Sequence, residues 1–338
     1  FKAVEADLVP QYLKLALKMR AGADVAITQV GYDTRSWSEL LQWNNEQLRP
    51  VPLMASVYIL SKGVAKVFHR DGVPGIRLND EQLAWAEDAA AADDKGRAAF
   101  LEFAAKQVAV VRGMGYAGAY IAGQRNAGEI DKVLSMANEF QQDWQAVLQD
   151  IHYPEAAPYR MYEEGDLPQL ASAVPTPPTK TKRVPLKYRF NRVVHDLAFE
   201  PESRGFSIGA KVYGGLEKTR LMWPAHVLEQ AVKIPMFDCQ DCGDCSLPDI
   251  AYQCPEGACA KNQRNGPCGG SIDGECEVPG KRCVWTNAYD RLRPYDEHLT
   301  MLDRAPVIGD NALRGTSAWA NTFLGRDHYA REDQGEEA

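Results

Sequence analysis

No cysteine occurs before residue 239, yet eight fall between that position and residue 283. Whatever chemistry depends on thiols is therefore confined to one short part of the chain. No stretch approaches the roughly 18 consecutive apolar residues that a membrane-spanning helix requires, which excludes a helical membrane anchor within the sequence. An excess of positive charge is also missing. The 38 Lys and Arg residues stand against 46 Asp and Glu, a net charge of -8, so nothing attracts the chain to nucleic acid or an anionic membrane. The opening FKAVEADLVP has neither the basic nor the apolar region of a signal peptide, and a cytoplasmic location is expected. It also begins on Phe1 and runs at once into helical sequence, from which a missing front is expected.

What is present is ordinary globular material, 338 residues with 45% hydrophobic and 25% charged content, enough for two domains. Residues 5–22 carry apolar side chains at helical spacing and end in glycine, which predicts an amphipathic helix. ADVAITQV (23–30), PLMASVYIL (52–60) and GAYIAG (118–123) are short, apolar and β-branched, the pattern of strands buried on both faces of a parallel sheet. Helices are predicted between and after them at Trp37–Gln47, over about 80–113 and over about 127–150. The alternation predicts α/β topology with right-handed crossovers. Three strands are too few to close such a sheet, so they either borrow strands or form the back of a larger barrel.

From residue 153 the texture changes. ASAVPTPPTKTKRVP (171–185) is proline-rich and without periodicity, and residues 153–187 are expected to be a linker. Its charges Lys180, Lys182, Arg183, Lys187 and Arg189 read as a solvated connector. A second domain is expected over 188–325, with short helices near Asn191–Phe199 and Trp223–Val232, followed by a frayed polar tail over 326–338.

The cysteines stand at 239, 242, 245, 254, 259, 268, 276 and 283. Disulfides are disfavoured because nothing points to export. Eight thiols would fill two four-thiolate zinc sites. The run Cys239-x2-Cys242-x2-Cys245 followed by Cys254-Pro255 ranks iron–sulfur above zinc, because it wraps three thiolates in one tight turn. The eight-residue gap before Cys254 departs from the bacterial ferredoxin pattern, so no ferredoxin fold is expected.

Two stretches carry a resemblance. Residues 237–295, with CGDC, QRNGPCGGS and CVW, resemble the cysteine-rich C-terminal domain attached to some methylenetetrahydrofolate reductases. DLVPQYLKLALKMRAGADVAITQVGYD (7–33) resembles the later part of the flavin-dependent barrel of that family. The resemblance implies that residues 1–152 are the C-terminal part, strands six to eight, of a (β/α)8 TIM barrel that binds FAD, followed by a small cysteine-rich metal-binding domain. It implies FAD contacts at Asp7, Lys18 and Ile27, and folate contacts at Gln29 and Phe68. Gln124 and Arg125 are further candidates in a stretch that departs from the family, and His69 is expected at the surface. The family's acidic catalytic residue would lie upstream of this chain. The implied reaction is reduction of 5,10-methylenetetrahydrofolate to 5-methyltetrahydrofolate, with a pyridine nucleotide or ferredoxin-like donor. The implied assembly is a homo-oligomer or a complex with a second chain supplying the first strands. The alternative is a non-catalytic iron–sulfur electron-transfer or scaffold subunit.

Overall fold

The computed structural model describes residues 2–70, 72–73, 75–153, 158–302 and 306–333. The chain divides into two compact units, one formed by residues 1–5 and 22–178, the other by 6–21 and 179–338. In chain order the first part contains α1 (Glu5–Arg20), β1 (Ala26–Ile27), α2 (Thr34–Asn45), β2 (Leu53–Tyr58), α3 (Lys62–His69), α4 (Asp80–Ala89), α5 (Arg97–Met114), β3 (Gly118–Ala122), α6 (Ala127–Phe140) and α7 (Leu148–Ile151). A hairpin of β4 (Tyr162–Glu164) and β5 (Ala171–Pro175) follows.

The first unit is mixed α/β, built on a parallel sheet in the order β1-β2-β3. Its strands stand where the apolar runs predicted them, but they are buried differently. Leu53, Ala55 and Val57 are almost fully buried. Their neighbours Met54 and Tyr58 are only partly covered, and Ile27 of β1 and Tyr120 of β3 are about half exposed. Side chains alternate across a strand, so the sheet has one well-covered face and one open face, not two covered ones.

Local chemistry sets the helix ends. Asp33, Ser61, Asn79 and Asn126 cap α2, α3, α4 and α6 by accepting from backbone N–H groups two or three residues on. The single helix expected over 80–113 is split, because Lys95 and Gly96 both take positive φ. A Cβ on Gly96 would lie 2.8 Å from the Ala89 backbone, so the turn between α4 and α5 requires a residue without one. Likewise the helix expected over 127–150 ends at Phe140 and resumes only as the short α7.

The expected linker is the largest correction. Residues 162–175 form the antiparallel pair β4–β5, anchored on α2. Arg35 is buried there and donates to the carbonyls of Tyr162 (2.8 Å), Glu163 (2.6 Å) and Leu170. Glu39, equally buried, accepts from the Met161 and Tyr162 N–H groups, and Ser38 accepts from Ala171. Hydrogen bonds to charged groups contribute about 1.5–3 kcal/mol each, so these contacts override the proline-rich composition. Residues 176–185 do lack regular structure.

One ion pair in this unit sets a pH dependence. Arg97 grips Glu129 through two parallel contacts, Nε to Oε1 at 2.7 Å and Nη2 to Oε2, joining the start of α5 to the start of α6. The Arg97 hydrogen bonds hold the Glu129 carboxyl down at about 2. A depressed carboxylate stabilises the fold above its unfolded pKa near 4.3, and that contribution disappears as pH falls through the folded value. Acid titration followed by circular dichroism should therefore show stability falling between about pH 4 and pH 2. In Glu129→Gln the loss over that window should be smaller.

The second unit adds α8 (Leu186–Ala198), α9 (Arg204–Leu216), α10 (Met222–Phe237), α11 (Pro255–Ala258), α12 (Val284–Leu292), α13 (Ala318–Phe323) and α14 (His328–Asp333). Part of the expected frayed tail is thus helical, and residues 334–338 lie outside the described ones. The core of this unit joins Ala6 and Leu13 of α1 to Tyr188, Ile250, Trp285 and Tyr289. α1 accordingly belongs to the cysteine-rich unit and not to the expected 1–152 domain. No helix among the described residues is long and apolar enough to cross a membrane.

Candidate metal centre

The loop after α10 is wound tightly by three residues of positive φ within six positions, Asp238, Asp241 and Gly243. Gly243 cannot be replaced without disturbance, since a Cβ there would lie 1.9 Å from the Leu313 carbonyl oxygen. This winding turns Cys239, Cys242 and Cys245 toward one small cavity, whose wall is completed by Cys254. Cys254 sits at the N-cap of α11, with Pro255 in the first helical position.

Backbone N–H groups face several of these sulfurs. Asp241 donates to Cys239, Leu247 to Cys245, and Gly257 and Glu256 to Cys254. Such bonds favour thiolate over thiol. Burial nevertheless pushes the Cys239 and Cys245 thiols up, and it carries Cys254 to about 11, with the neighbouring sulfurs adding to the effect. Thiols held in this way are protonated at neutral pH unless a metal ion displaces the protons.

Two cations stand beside the sulfurs. Lys233 of α10 is buried, with Nζ 2.9 Å from Glu229 Oε1 and 3.6 Å from Cys245 Sγ. Burial alone would push it down, but the Cys245 sulfur and the Glu229 carboxylate hold it above the ordinary lysine range. Glu229 is fully buried and also accepts from Ser317 Oγ at 2.6 Å. Arg264 interacts with Cys242, donates to the Asp244 carbonyl at 2.9 Å and pairs with Glu256. Asp244 in turn accepts from His328 Nδ1 at 2.6 Å, which ties α14 to the loop.

The remaining thiols are placed differently. Cys259 and Cys283 pack against the hydrophobic core, Cys276 Sγ accepts from Val278 N–H, and Cys268 is exposed.

The residues carried over from the barrel resemblance are divided between the two units. Asp7 is buried in the second unit, one oxygen accepting from Thr286 Oγ1 and the other from Gly274 N–H at 2.9 Å. Both oxygens are thus engaged, so Asp7 is a structural anchor and not a free acceptor for ribityl hydroxyls. Lys18, on the same helix, is exposed. Ile27 and Gln29 lie in the first unit, on and just beyond β1, and both are exposed. Gln29 Oε1 accepts from Val30 N–H, and its amide lies near the Gly75 turn. Phe68 is buried with its ring edge-on to Tyr58, a core position and not a free stacking surface. His69 pairs with Asp80 at 2.8 Å, and Gln124 and Arg125 are exposed.

Sequence reasoning missed Lys233, Glu229 and Arg264. A signal existed for the first two, an acid and a base four residues apart in the mostly apolar MWPAHVLEQAVKIPMF, at the spacing that pairs side chains on one helical face.

Four thiols around one cavity, with N–H donors and cations behind them, define a module able to hold a metal through thiolates. Residues 222–308, which contain all eight cysteines, match the family described as methylene-tetrahydrofolate reductase C terminal. The match associates this segment with a methylene-tetrahydrofolate reductase-related, oxidoreductase function, and it does not extend over residues 1–221. No curated protein and no solved structure matches the chain.

Proposed function

We propose that the chain is a subunit of a methylenetetrahydrofolate reductase system, in which Cys239, Cys242, Cys245 and Cys254 hold an iron–sulfur cluster. The observation that carries this reading is the convergence of those four thiols on one cavity inside the matched segment. Spacing favours a cluster over zinc. The run Cys239-x2-Cys242-x2-Cys245 followed by Cys254-Pro255 wraps three thiolates in one tight turn, which suits a cluster. When bound, a cluster supplies one-electron transfer. The protein's own part is to exclude water through the buried Cys254, to offset thiolate charge through Lys233 and Arg264, and to aim backbone N–H groups at sulfur.

The engagement of Asp7 and the burial of Phe68 favour an electron-transfer or scaffold subunit over a self-sufficient reductase. In this reading the open face of the three-stranded sheet, with Gln29 just beyond its edge strand, is completed by further strands of the reductase barrel.

The test is anaerobic purification, with iron and sulfide analysis and visible absorbance before and after dithionite. Bleachable absorbance with about four irons per site is expected. Colourless protein carrying stoichiometric zinc would refute the cluster. Methylenetetrahydrofolate reduction should be absent with the chain alone and restored when the remaining reductase strands are supplied.

A further inference from the structure

α10 carries its charges on the wrong side for a surface helix. Its only acidic and basic side chains, Glu229 and Lys233, are buried beside the thiol site. Its solvent side is uncharged: Trp223, Val227, Leu228, Val232 and Ile234 are all exposed, Trp223 at 73% and Leu228 at 63%. Helices of soluble proteins turn apolar faces toward a covering surface, and none covers this one. The face extends beyond α10. More than half of the large apolar side chains that stand exposed among the described residues lie between Leu186 and Ile234, on or beside α8, α9 and α10. Phe190 and Val194 of α8 and Val232 of α10 line one cavity of about 780 Å3, which joins the apolar sides of the two helices.

With these side chains each showing about half of their area, the three helices present on the order of 1,000 Å2 of apolar surface, above the roughly 300–600 Å2 of the largest patch on a typical monomer. A standard interface takes about 800 Å2 from each partner, so the face is large enough for a stable one. The charges at the ends of α10 identify the partner. Lys218 and Arg220, both exposed, stand just before the helix, and the exposed Asp238 forms its C-cap. This is the reverse of what a helix dipole favours, since the N-terminus is its positive end and the C-terminus its negative one. A second α10 laid antiparallel removes the conflict, because each basic start then meets the other's acidic end. Such a pattern is complementary to itself, which is what a twofold interface requires.

We propose that α10 and the apolar face beside it form a twofold interface with a second copy of this chain, the two α10 helices packed antiparallel. An axis at the middle of the 16-residue helix sets Leu228 of one copy against Ala231 of the other, large against small, which suits the separation of about 8–10 Å between packed helices. Lys218 and Arg220 of each copy face Asp238 of the other. Because Lys233 reaches Cys245 from the inner side of α10, the two thiol sites come to lie back to back behind the helix pair. The interface belongs to the second unit, whereas the sheet face left for reductase strands belongs to the first, so it depends on neither the barrel nor the identity of the metal.

The experiment is analytical ultracentrifugation of the full chain, purified anaerobically, at about 0.1–100 μM, a range in which a dimer with a micromolar dissociation constant forms and dissociates. Twice the chain mass is expected at the upper end. Leu228→Glu places two carboxylates at the uncharged centre of the interface and should raise the dissociation constant about a hundredfold or more. Because Leu228 is largely exposed in the single chain, the circular dichroism spectrum and metal content of this variant should match those of the wild type. Leu48→Glu, at an exposed apolar side chain of the first unit, should leave the dimer unchanged. Arg220→Glu sets a like charge opposite Asp238 and should weaken the dimer about tenfold at low salt. About 0.5 M NaCl should then strengthen the Arg220→Glu dimer while slightly weakening the wild type, since salt screens repulsion in the one and attraction in the other. The proposal is overturned if the folded chain stays monomeric at about 100 μM. A dimer that survives Leu228→Glu, or an Arg220→Glu effect that salt does not reduce, would overturn it as well. A chain that is monomeric alone and loses only its association with supplied reductase strands in Leu228→Glu would give the face to that partner, and the second copy would be excluded. These readouts do not involve iron or folate turnover, so they succeed or fail apart from the cluster reading.

Discussion

Glu229→Ala should destabilise the cysteine-rich unit by about 3–5 kcal/mol, the cost of removing one partner from a buried ion pair. The carboxylate is fully buried, neutralises Lys233 and accepts from Ser317. Without it, a lysine that is only 4% exposed keeps its charge with no carboxylate beside it. Urea unfolding monitored by tryptophan fluorescence would measure the loss. Replacing both residues together with Met should recover much of it, since two apolar side chains leave no unpaired charge. A change below about 1 kcal/mol in the single variant would mean that water reaches Lys233 and that the pair is not the brace described here.

Cys245→Ser should abolish metal binding at the four-thiol site. Oxygen is a harder donor than sulfur, and thiolate is the ligand that iron–sulfur clusters and zinc select. Elemental analysis of anaerobically purified protein should show the loss of one site's metal, at least tenfold in occupancy, with the visible absorbance of that site. Cys268→Ser, at the exposed cysteine, should not disturb this site. Full metal content in Cys245→Ser would exclude that sulfur as a ligand.

How much was legible in the sequence depended on how local the cause was. Strands β2 and β3 lie inside their apolar runs because a short β-branched run flanked by turns has few alternatives. The hairpin at 162–175 was hidden because its partners, Arg35 and Ser38, are more than a hundred residues away. α9 (RGFSIGAKVYGGL) carries four glycines, a poor helix former by propensity. Two of them serve close approach, since a Cβ on Gly205 would strike the Leu197 carbonyl and one on Gly209 would strike the Phe323 ring. At the candidate site, cysteine spacing marked the ligands directly. Their supporting shell was less legible, because residues such as Arg264 and His328 reveal a role only once folding brings them beside the loop. Asp7 shows the limit of resemblance: the motif attracted notice, while its hydrogen-bond partners lie 267 and 279 positions away.

That bond from α1 to residues 274 and 286 makes the cysteine-rich unit discontinuous along the chain, with residues 22–178 inserted between its first helix and its remainder. At ribosomal speeds of about 5–20 residues per second, some 13–55 s separate the synthesis of Asp7 from that of its partners. Over that interval the apolar face of α1 has no native surface to cover it, and the inserted unit has time to fold first. Vectorial synthesis would therefore finish the thiol-bearing unit last, making it the part of this protein most dependent on chaperone protection and on the timing of metal delivery.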